Sequence, residues 1–230
     1  NNVLSIKKDF YDENWQNLNN QVKINKYYKQ NPIRISCKNC KKKTLQKFIK
    51  NFLIEYYVCS NCSHLNGKYQ DTEKFAKKLY FERSGKNYYK NYLNDYNGRV
   101  KNIYLPKAEF LKKIIKKKIN LLDIGSGGGH FLKALEIKKI NAQGFEPSKV
   151  LCDLGNIKLK KNKLINSDFN EIYEVVANQS KFNTISLIGV LEHLIDPHLL
   201  LKSFKKGKAK FLYISVPLFS LSVLTIRPTE

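Results

Sequence analysis

Residues 121–129, Leu-Leu-Asp-Ile-Gly-Ser-Gly-Gly-Gly, decide the fold of this chain. A short apolar run ends in Asp123, and glycines then occupy every second position from 125 to 129 before a helical pattern starts near His130. This order predicts a strand, a tight turn and a helix N-terminus at which the backbone can approach a ligand closely. A dinucleotide-binding turn would have its third glycine at position 130, and a phosphate loop would continue with Gly-Lys-Ser/Thr. Both are excluded, which leaves another kind of ligand loop or an ordinary glycine turn.

Strands and helices are predicted to alternate around this loop. Apolar runs indicate strands at 120–124, 140–145, 163–166, 182–188 and 210–216. Helical patterns occupy 130–138, 148–155, 169–177 and 196–205, and a further one begins at Pro106. Alternation on this scale predicts an α/β fold with a parallel sheet, whose ligands bind at the carboxyl ends of the strands.

Further landmarks follow the next three predicted strands. Glu146 ends the second strand, where a carboxylate can accept hydrogen bonds from vicinal ribose hydroxyls; a solvated surface acid is the alternative. Asp168 follows the third strand, at a position that also suits a helix N-cap. The fourth strand runs into Ile-Gly-Val-Leu-Glu-His-Leu-Ile-Asp-Pro, residues 188–197. His193 in that segment can act as a general base near pH 7, or it can be structural.

The acidic-x-Gly-x-Gly-x-Gly loop and the ordered landmarks resemble the class I S-adenosylmethionine (SAM)-dependent methyltransferases over residues 106–216. The resemblance implies a Rossmann-like sheet that binds SAM, with Asp168 on the adenine amino group and Phe169 against the ring. It places His193 beside the transferable methyl group as the catalytic residue. The cofactor contacts that it implies are Asp123, Gly125, Ser126, Gly127, Gly129, Glu146, Asp168, Phe169 and Val190.

The predicted sheet lacks two strands of the class I pattern. That pattern normally has seven strands, the last two forming an antiparallel hairpin. Here the fifth predicted strand ends near Val216, and only 14 residues follow it. We therefore expect a C-terminally incomplete sheet, either because the chain is truncated or because another subunit completes it.

Four cysteines form a second motif, Cys37-x2-Cys40 and Cys59-x2-Cys62, with 18 residues between the pairs. The spacing fits the pattern of a zinc site in which two knuckles present four thiolates. Disulfides and a redox pair are the alternatives; a reducing compartment and the presence of two pairs disfavour them. A zinc ribbon ahead of a Leu-Glu-His segment resembles a bacterial group related to sugar-modifying and ubiquinone-type methyltransferases.

The predicted organisation therefore has four parts. Residues 1–32 are unassigned, 33–66 form the zinc-ribbon module, 67–105 form a Tyr-rich connecting segment, and 106–230 form the SAM-binding domain.

The net charge of +23 fits a polyanionic partner such as RNA, a nucleotide-linked substrate or an anionic membrane. A Lys/Asn-rich composition explains the charge without any partner and is slightly favoured. The longest uncharged apolar stretch has 16 residues, fewer than the roughly 20 of a membrane span. With no secretory signal at residue 1, a cytoplasmic location is expected.

These observations predict transfer of a methyl group from SAM to a small-molecule or nucleotide-linked acceptor, with a sugar among the candidates, in a bacterial biosynthetic pathway. An RNA methyltransferase and a SAM-binding protein without catalysis are the alternatives. Zinc is the second expected cofactor. Nucleic acid is a less favoured partner, and an oligomer is compatible with the sequence.

Overall fold

The computed structural model describes residues 19, 22–51, 54–78, 93 and 95–216. The chain divides into two compact units, and the described residues fall at 22–78 in the small unit and from 93 onward in the large unit. The described part of the predicted connecting segment, 67–105, is therefore shared between the two units. The other predicted domain boundaries stay a prediction.

The small unit contains a three-stranded antiparallel sheet in the order β1-β2-β3. Its strands are β1 (Leu45–Asn51), β2 (Ile54–Cys59) and β3 (Leu65–Gly67). Residues 22–28 are helical before the sheet, and helix α1 (Glu73–Lys77) follows it. Among the apolar residues described in this unit, only Cys37, Ile54 and Cys59 are fully buried. So small a core needs a further source of stability.

The large unit is built on a five-stranded parallel sheet in the order β6-β5-β4-β7-β8. The strands are β4 (Asn120–Ile124), β5 (Asn141–Glu146), β6 (Lys163–Asn166), β7 (Thr184–Ile188) and β8 (Phe211–Ser215). All four strand pairs are parallel. The predicted α/β fold is therefore confirmed, and the five strands lie within two residues of their predicted bounds.

Helices precede and connect these strands. Helix α2 (Tyr96–Arg99), a π-helical turn (Val100–Tyr104) and α3 (Leu105–Ile114) lead into the sheet. The connecting helices are α4 (His130–Ile137), α5 (Lys149–Lys158), α6 (Phe169–Asn178) and α7 (Pro197–Lys206). Across the described residues, no helix combines the length and the apolar character that a membrane crossing requires.

Successive residues of β4 face two separate apolar layers. Leu121 packs in a cluster with Phe131 and Leu135 of α4, whereas Leu122 packs in another with Ile172 of α6. Strands that are covered on both faces have continuous apolar sequences. Their bounds could therefore be predicted to within two residues. The layers leave the carboxyl ends of the strands free to form a site.

Candidate cofactor site and metal centre

The glycine loop joins β4 to α4 in a conformation that favours glycine. Gly125, Gly127 and Gly129 have φ of 67°, 54° and 74°. The backbone N–H groups of Gly125 and Ser126 donate to the carbonyl of Phe145 over 2.8 and 3.1 Å, which attaches the loop to the end of β5. The loop is thus formed by backbone geometry that few other residues adopt.

Protein packing also limits the space for a side chain at two of the loop glycines. A Cβ at Gly125 would lie 2.6 Å from Cγ2 of Val190, which is buried. A Cβ at Gly129 would lie 3.3 Å from Cα of Gly155 in α5 and 3.2 Å from Cδ1 of Leu164. Part of the glycine pattern therefore serves close packing around the loop.

Asp123 ends β4 as a buried carboxyl. Its Oδ1 accepts a hydrogen bond from Ser186 Oγ over 2.6 Å, and its carbonyl accepts one from Ser126 Oγ over 3.0 Å. Burial raises its pKa to about 7, although both serines lower it, and the nearby charge of Glu146 raises it further. A raised folded-state pKa means that the stability linked to this carboxyl is full below its ordinary pKa and is lost as the pH rises through about 7.

Glu146 connects the loop to the start of α5. Its Oε2 accepts from the Gly127 N–H over 2.7 Å, and its Oε1 accepts from the Ser148 N–H over 2.9 Å. Burial raises the pKa of Glu146, and these two hydrogen bonds oppose the rise. Each carboxylate oxygen can accept a second hydrogen bond, so the side chain can hold the loop and still receive a ligand hydroxyl.

Asp168 is an exposed residue that caps α6, because its Oδ1 accepts from the Glu171 N–H over 3.1 Å. It also lines a cleft of about 520 Å³ between the carboxyl ends of β5 and β6, together with residues 147–150, 166–167 and Glu171. The helix-cap alternative is therefore realised, and it does not remove Asp168 from the cleft. The side chain of Phe169 lies outside the described part of the chain.

The segment after β7 brings its residues to the same edge of the sheet. Val190 is buried against Gly125, and the 3-10 turn Leu191–His193 follows it. The side chain of His193 is 52% exposed, and its Nε2 lies 3.9 Å from Oε1 of Glu192. An exposed imidazole at this edge can exchange a proton with a bound molecule or with solvent.

Two features of this region were missed at the level of the sequence. Ser186 lies beside Asp123 in the parallel register, and a serine between an isoleucine and a leucine of a buried strand was the available signal. His130 is buried and stacks on Tyr96 and Tyr104, with ring centroids 4.1 and 5.6 Å away. Part of the Tyr-rich segment therefore packs beside the start of α4.

The four predicted metal ligands come together in the small unit. All four Sγ atoms of Cys37, Cys40, Cys59 and Cys62 lie within 4.8 Å of one another. The Sγ atoms of Cys37 and Cys62 are 3.7 Å apart, and those of Cys40 and Cys59 are 3.5 Å apart. A tetrahedral zinc with Zn–S bonds of about 2.3 Å requires sulfur separations of about 3.8 Å. The cluster therefore fits zinc, whereas a disulfide would need about 2 Å.

The two knuckles have matching backbone geometry. Lys41 and Ser63, each directly after the second cysteine of a pair, have φ of 62° and 57°. Their N–H groups donate to the carbonyls of Cys37 and Cys59 over 3.0 and 2.8 Å. Each pair is thereby folded into the same tight turn, which directs both of its sulfurs to one point.

Polar groups around Cys37 and Cys59 favour thiolates. Thr44 Oγ1 lies 3.2 Å from Cys59 Sγ, and the amide of buried Asn66 donates to Cys37 Sγ over 3.5 Å. The Thr44 contact is the largest influence that lowers the pKa of Cys59 to about 6. Burial raises the pKa of Cys37, but hydrogen bonds from its surroundings outweigh it and lower the net value. At Cys62 a hydrogen bond from the His64 backbone lowers the pKa, but burial and the neighbouring thiols of Cys40 and Cys37 outweigh it and raise the pKa to about 11. Thiolates are the form that binds metal.

Comparison with known proteins gives the family. The family model described as "Methyltransferase domain" matches residues 96–224, more than half of the chain. An uncharacterised protein of Methanocaldococcus jannaschii is 31% identical over 57% of this chain and 47% of its own length. A tRNA U34 carboxymethyltransferase of Nautilia profundicola is 34% identical over 43% of this chain and 35% of its own length. The matched segment thus spans less than half of either relative.

Among solved structures, a putative S-adenosyl-L-methionine-dependent methyltransferase from Methanococcus maripaludis is similar with a TM-score of 0.49 and 17% identity. The similarity covers 69% of this chain and 75% of that one. The family match covers the whole sheet together with the glycine loop and the segment after β7. The chain therefore belongs to the methyltransferase-domain family.

Proposed function

We propose that the chain transfers a methyl group from SAM to a small-molecule or nucleotide-linked acceptor. One observation supports this most directly: the glycine loop, Glu146, Asp168 and His193 follow four neighbouring parallel strands at their carboxyl ends. That edge of a parallel sheet is where α/β proteins bind their ligands.

The donor would lie along this edge. Glu146 would accept hydrogen bonds from the ribose, Asp168 and Phe169 would hold the adenine, and the loop backbone would approach the remaining part of the ligand. Asp123, Ser126 and Val190 would support the loop, since their described contacts are to the loop and its neighbours.

Bound SAM would supply the electrophilic methyl group. The chain's own contribution is then to position the acceptor for in-line attack and to exclude competing geometries. His193 would accept the proton that the attacking group loses. The four cysteines would hold a zinc ion whose role is structural, because it would stabilise a unit with few buried side chains.

We expect calorimetry to detect binding of SAM and of its demethylated product S-adenosylhomocysteine (SAH), but not of NAD. Glu146→Ala should weaken SAH binding by about 1.5–3 kcal/mol, since charged hydrogen bonds to the ribose are lost. Glu174→Gln, on an exposed position of α6, is the control and should bind as the wild type does. Binding of NAD instead, or of none of the three, would refute the proposed function.

His193→Ala should lower the rate of methyl transfer about 10²–10⁴-fold and leave the SAH dissociation constant nearly unchanged. The physical reason is that a general base acts on the acceptor, whereas the donor contacts lie on the other strands. His198→Ala in α7 is the control. Single-turnover rates measured beside SAH titrations separate the two effects. Near-normal turnover in His193→Ala would make that histidine structural.

A second candidate is methylation of RNA. The relative from Nautilia profundicola is by name a tRNA-modifying enzyme, and this chain carries a net charge of +23. Transfer of labelled methyl groups to total tRNA, compared with transfer to a nucleotide-sugar fraction, distinguishes the two acceptors. Donor binding without transfer to either would favour a binding protein that lacks catalysis.

A further inference from the structure

Positive charge is concentrated in residues 22–78, the described main part of the small unit. Residues 22–78 contain fourteen Lys and Arg but three Asp and Glu. Residues 95–216, a range about twice as long, contain twenty-two Lys and Arg and eleven Asp and Glu. The excess of eleven positive charges is therefore the same in both ranges, and its density is about twice as high in residues 22–78. These residues are both richer in lysine and poorer in acids than residues 95–216.

Two of the three acids within residues 22–78 are neutralised by neighbouring cations. Glu55 forms ion pairs with Lys47 and Lys68, and Asp71 forms ion pairs with Arg34 and Lys38. The third acid, Glu73, is in the first turn of α1. The remaining lysines of residues 22–78 therefore present a positive field that the acids of the same range do little to offset.

The densest part of this field lies along one edge of the sheet. Residues 41–50, Lys-Lys-Lys-Thr-Leu-Gln-Lys-Phe-Ile-Lys, contain five lysines and no acid. They run from the first knuckle into β1, which is an edge strand of the three-stranded sheet. All five lysines are exposed. We call residues 41–50 the basic edge.

An aromatic ring lies within the basic edge. The pairing of β1 with β2 shifts between Lys47 and Ile49, so Phe48 is the extra residue of a β-bulge. Its side chain is 53% exposed. A bulge often redirects a side chain at a sheet edge, and an exposed ring between lysines offers a flat apolar surface beside positive charge.

We propose that the basic edge binds single-stranded nucleic acid. Lys42 and Lys43 contact phosphates at one end of the basic edge, Lys50 contacts a phosphate farther along the same strand of nucleic acid, and Phe48 stacks on an unpaired base. Proteins that bind single strands combine these two features, a basic track for the backbone and an aromatic platform for the bases. Lysines on an edge strand also prevent edge-to-edge association, but that role does not call for an exposed phenylalanine beside them. The inference goes beyond the proposed function and does not depend on cofactor binding.

The test is fluorescence anisotropy of a labelled twelve-nucleotide oligouridine with the full chain at several salt concentrations. We expect Lys42→Glu/Lys43→Glu/Lys50→Glu to weaken binding at least tenfold. This variant should also reduce the slope of log K against log salt by about 2, since each phosphate contact in a single strand contributes about 0.7. Phe48→Ala should weaken binding roughly tenfold, and Phe48→Trp should restore it.

A matched control carries the same charge change on the large unit. Lys116→Glu/Lys117→Glu/Lys118→Glu replaces three exposed lysines outside the basic edge and should keep most of the affinity and the slope. Circular dichroism and metal content identical to the wild type establish that the variants fold. Equal losses in both triple variants overturn the proposal, as does tighter binding to a paired duplex or to phosphatidylserine vesicles than to oligouridine. A thymidine oligonucleotide shows whether the edge distinguishes RNA from DNA, and stacking predicts comparable affinities.

Discussion

The Gly127→Val chain is expected to fold and to lose SAH binding by more than a hundredfold. Gly127 has φ of 54°, it is buried, and its N–H donates to Oε2 of Glu146. A β-branched residue adopts this φ only at considerable cost, so the loop must change its path. The change would remove the Glu146 contact and fill the space in which the ligand approaches the backbone.

A matched control separates backbone strain from loss of the site. Lys139 has φ of 58° in the turn after α4 and is exposed. Lys139→Val therefore imposes a similar local strain outside the loop, and it should lower the melting temperature without changing SAH affinity. Calorimetry and thermal melts on both variants provide the measurement. Wild-type affinity in Gly127→Val would show that the loop does not contact the donor.

Removal of zinc is expected to unfold the small unit and leave the large unit folded. Metal binding supplies about 10–16 kcal/mol in zinc-finger peptides. The three apolar residues that are fully buried in the described part of the small unit contribute far less. The large unit has its own apolar layers, so its stability should not depend on the metal. Hydrogen exchange followed by peptide mapping should show loss of protection in residues 22–78, and retained protection in residues 95–216, after chelation.

Cysteine variants sharpen this test. We expect the wild type to bind one zinc per chain, and Cys59→Ala should abolish this binding because it removes one of the four proposed ligands. Cys152 is a buried thiol of α5 in the large unit, and Cys152→Ala should keep the metal. Metal analysis of both variants and of the wild type is the measurement. Absence of zinc from the wild type, or disulfide-linked peptides under reducing preparation, would contradict the assignment.

Most helices and strands of the large unit could be predicted because the sequence patterns that indicate them are local. Strand β4 occupies 120–124 as predicted, and the helix that begins at His130 ends within one residue of its predicted end. Buried parallel strands are short apolar runs, and glycines at alternate positions indicate a turn with positive φ. The four-cysteine metal site could be predicted in the same way, because the spacing of each cysteine pair involves only neighbouring residues.

Relations between distant residues required the tertiary structure. Val190 excludes a side chain at Gly125, Ser186 donates to Asp123, and both contacts join residues more than sixty positions apart. The exposure of Phe48 also required the tertiary structure, because it depends on how β1 pairs with β2. Local periodicity determined which elements form and which residues end them. Strand order and register then determined which of those ends meet, because contacts across a sheet leave no short-range pattern in the chain.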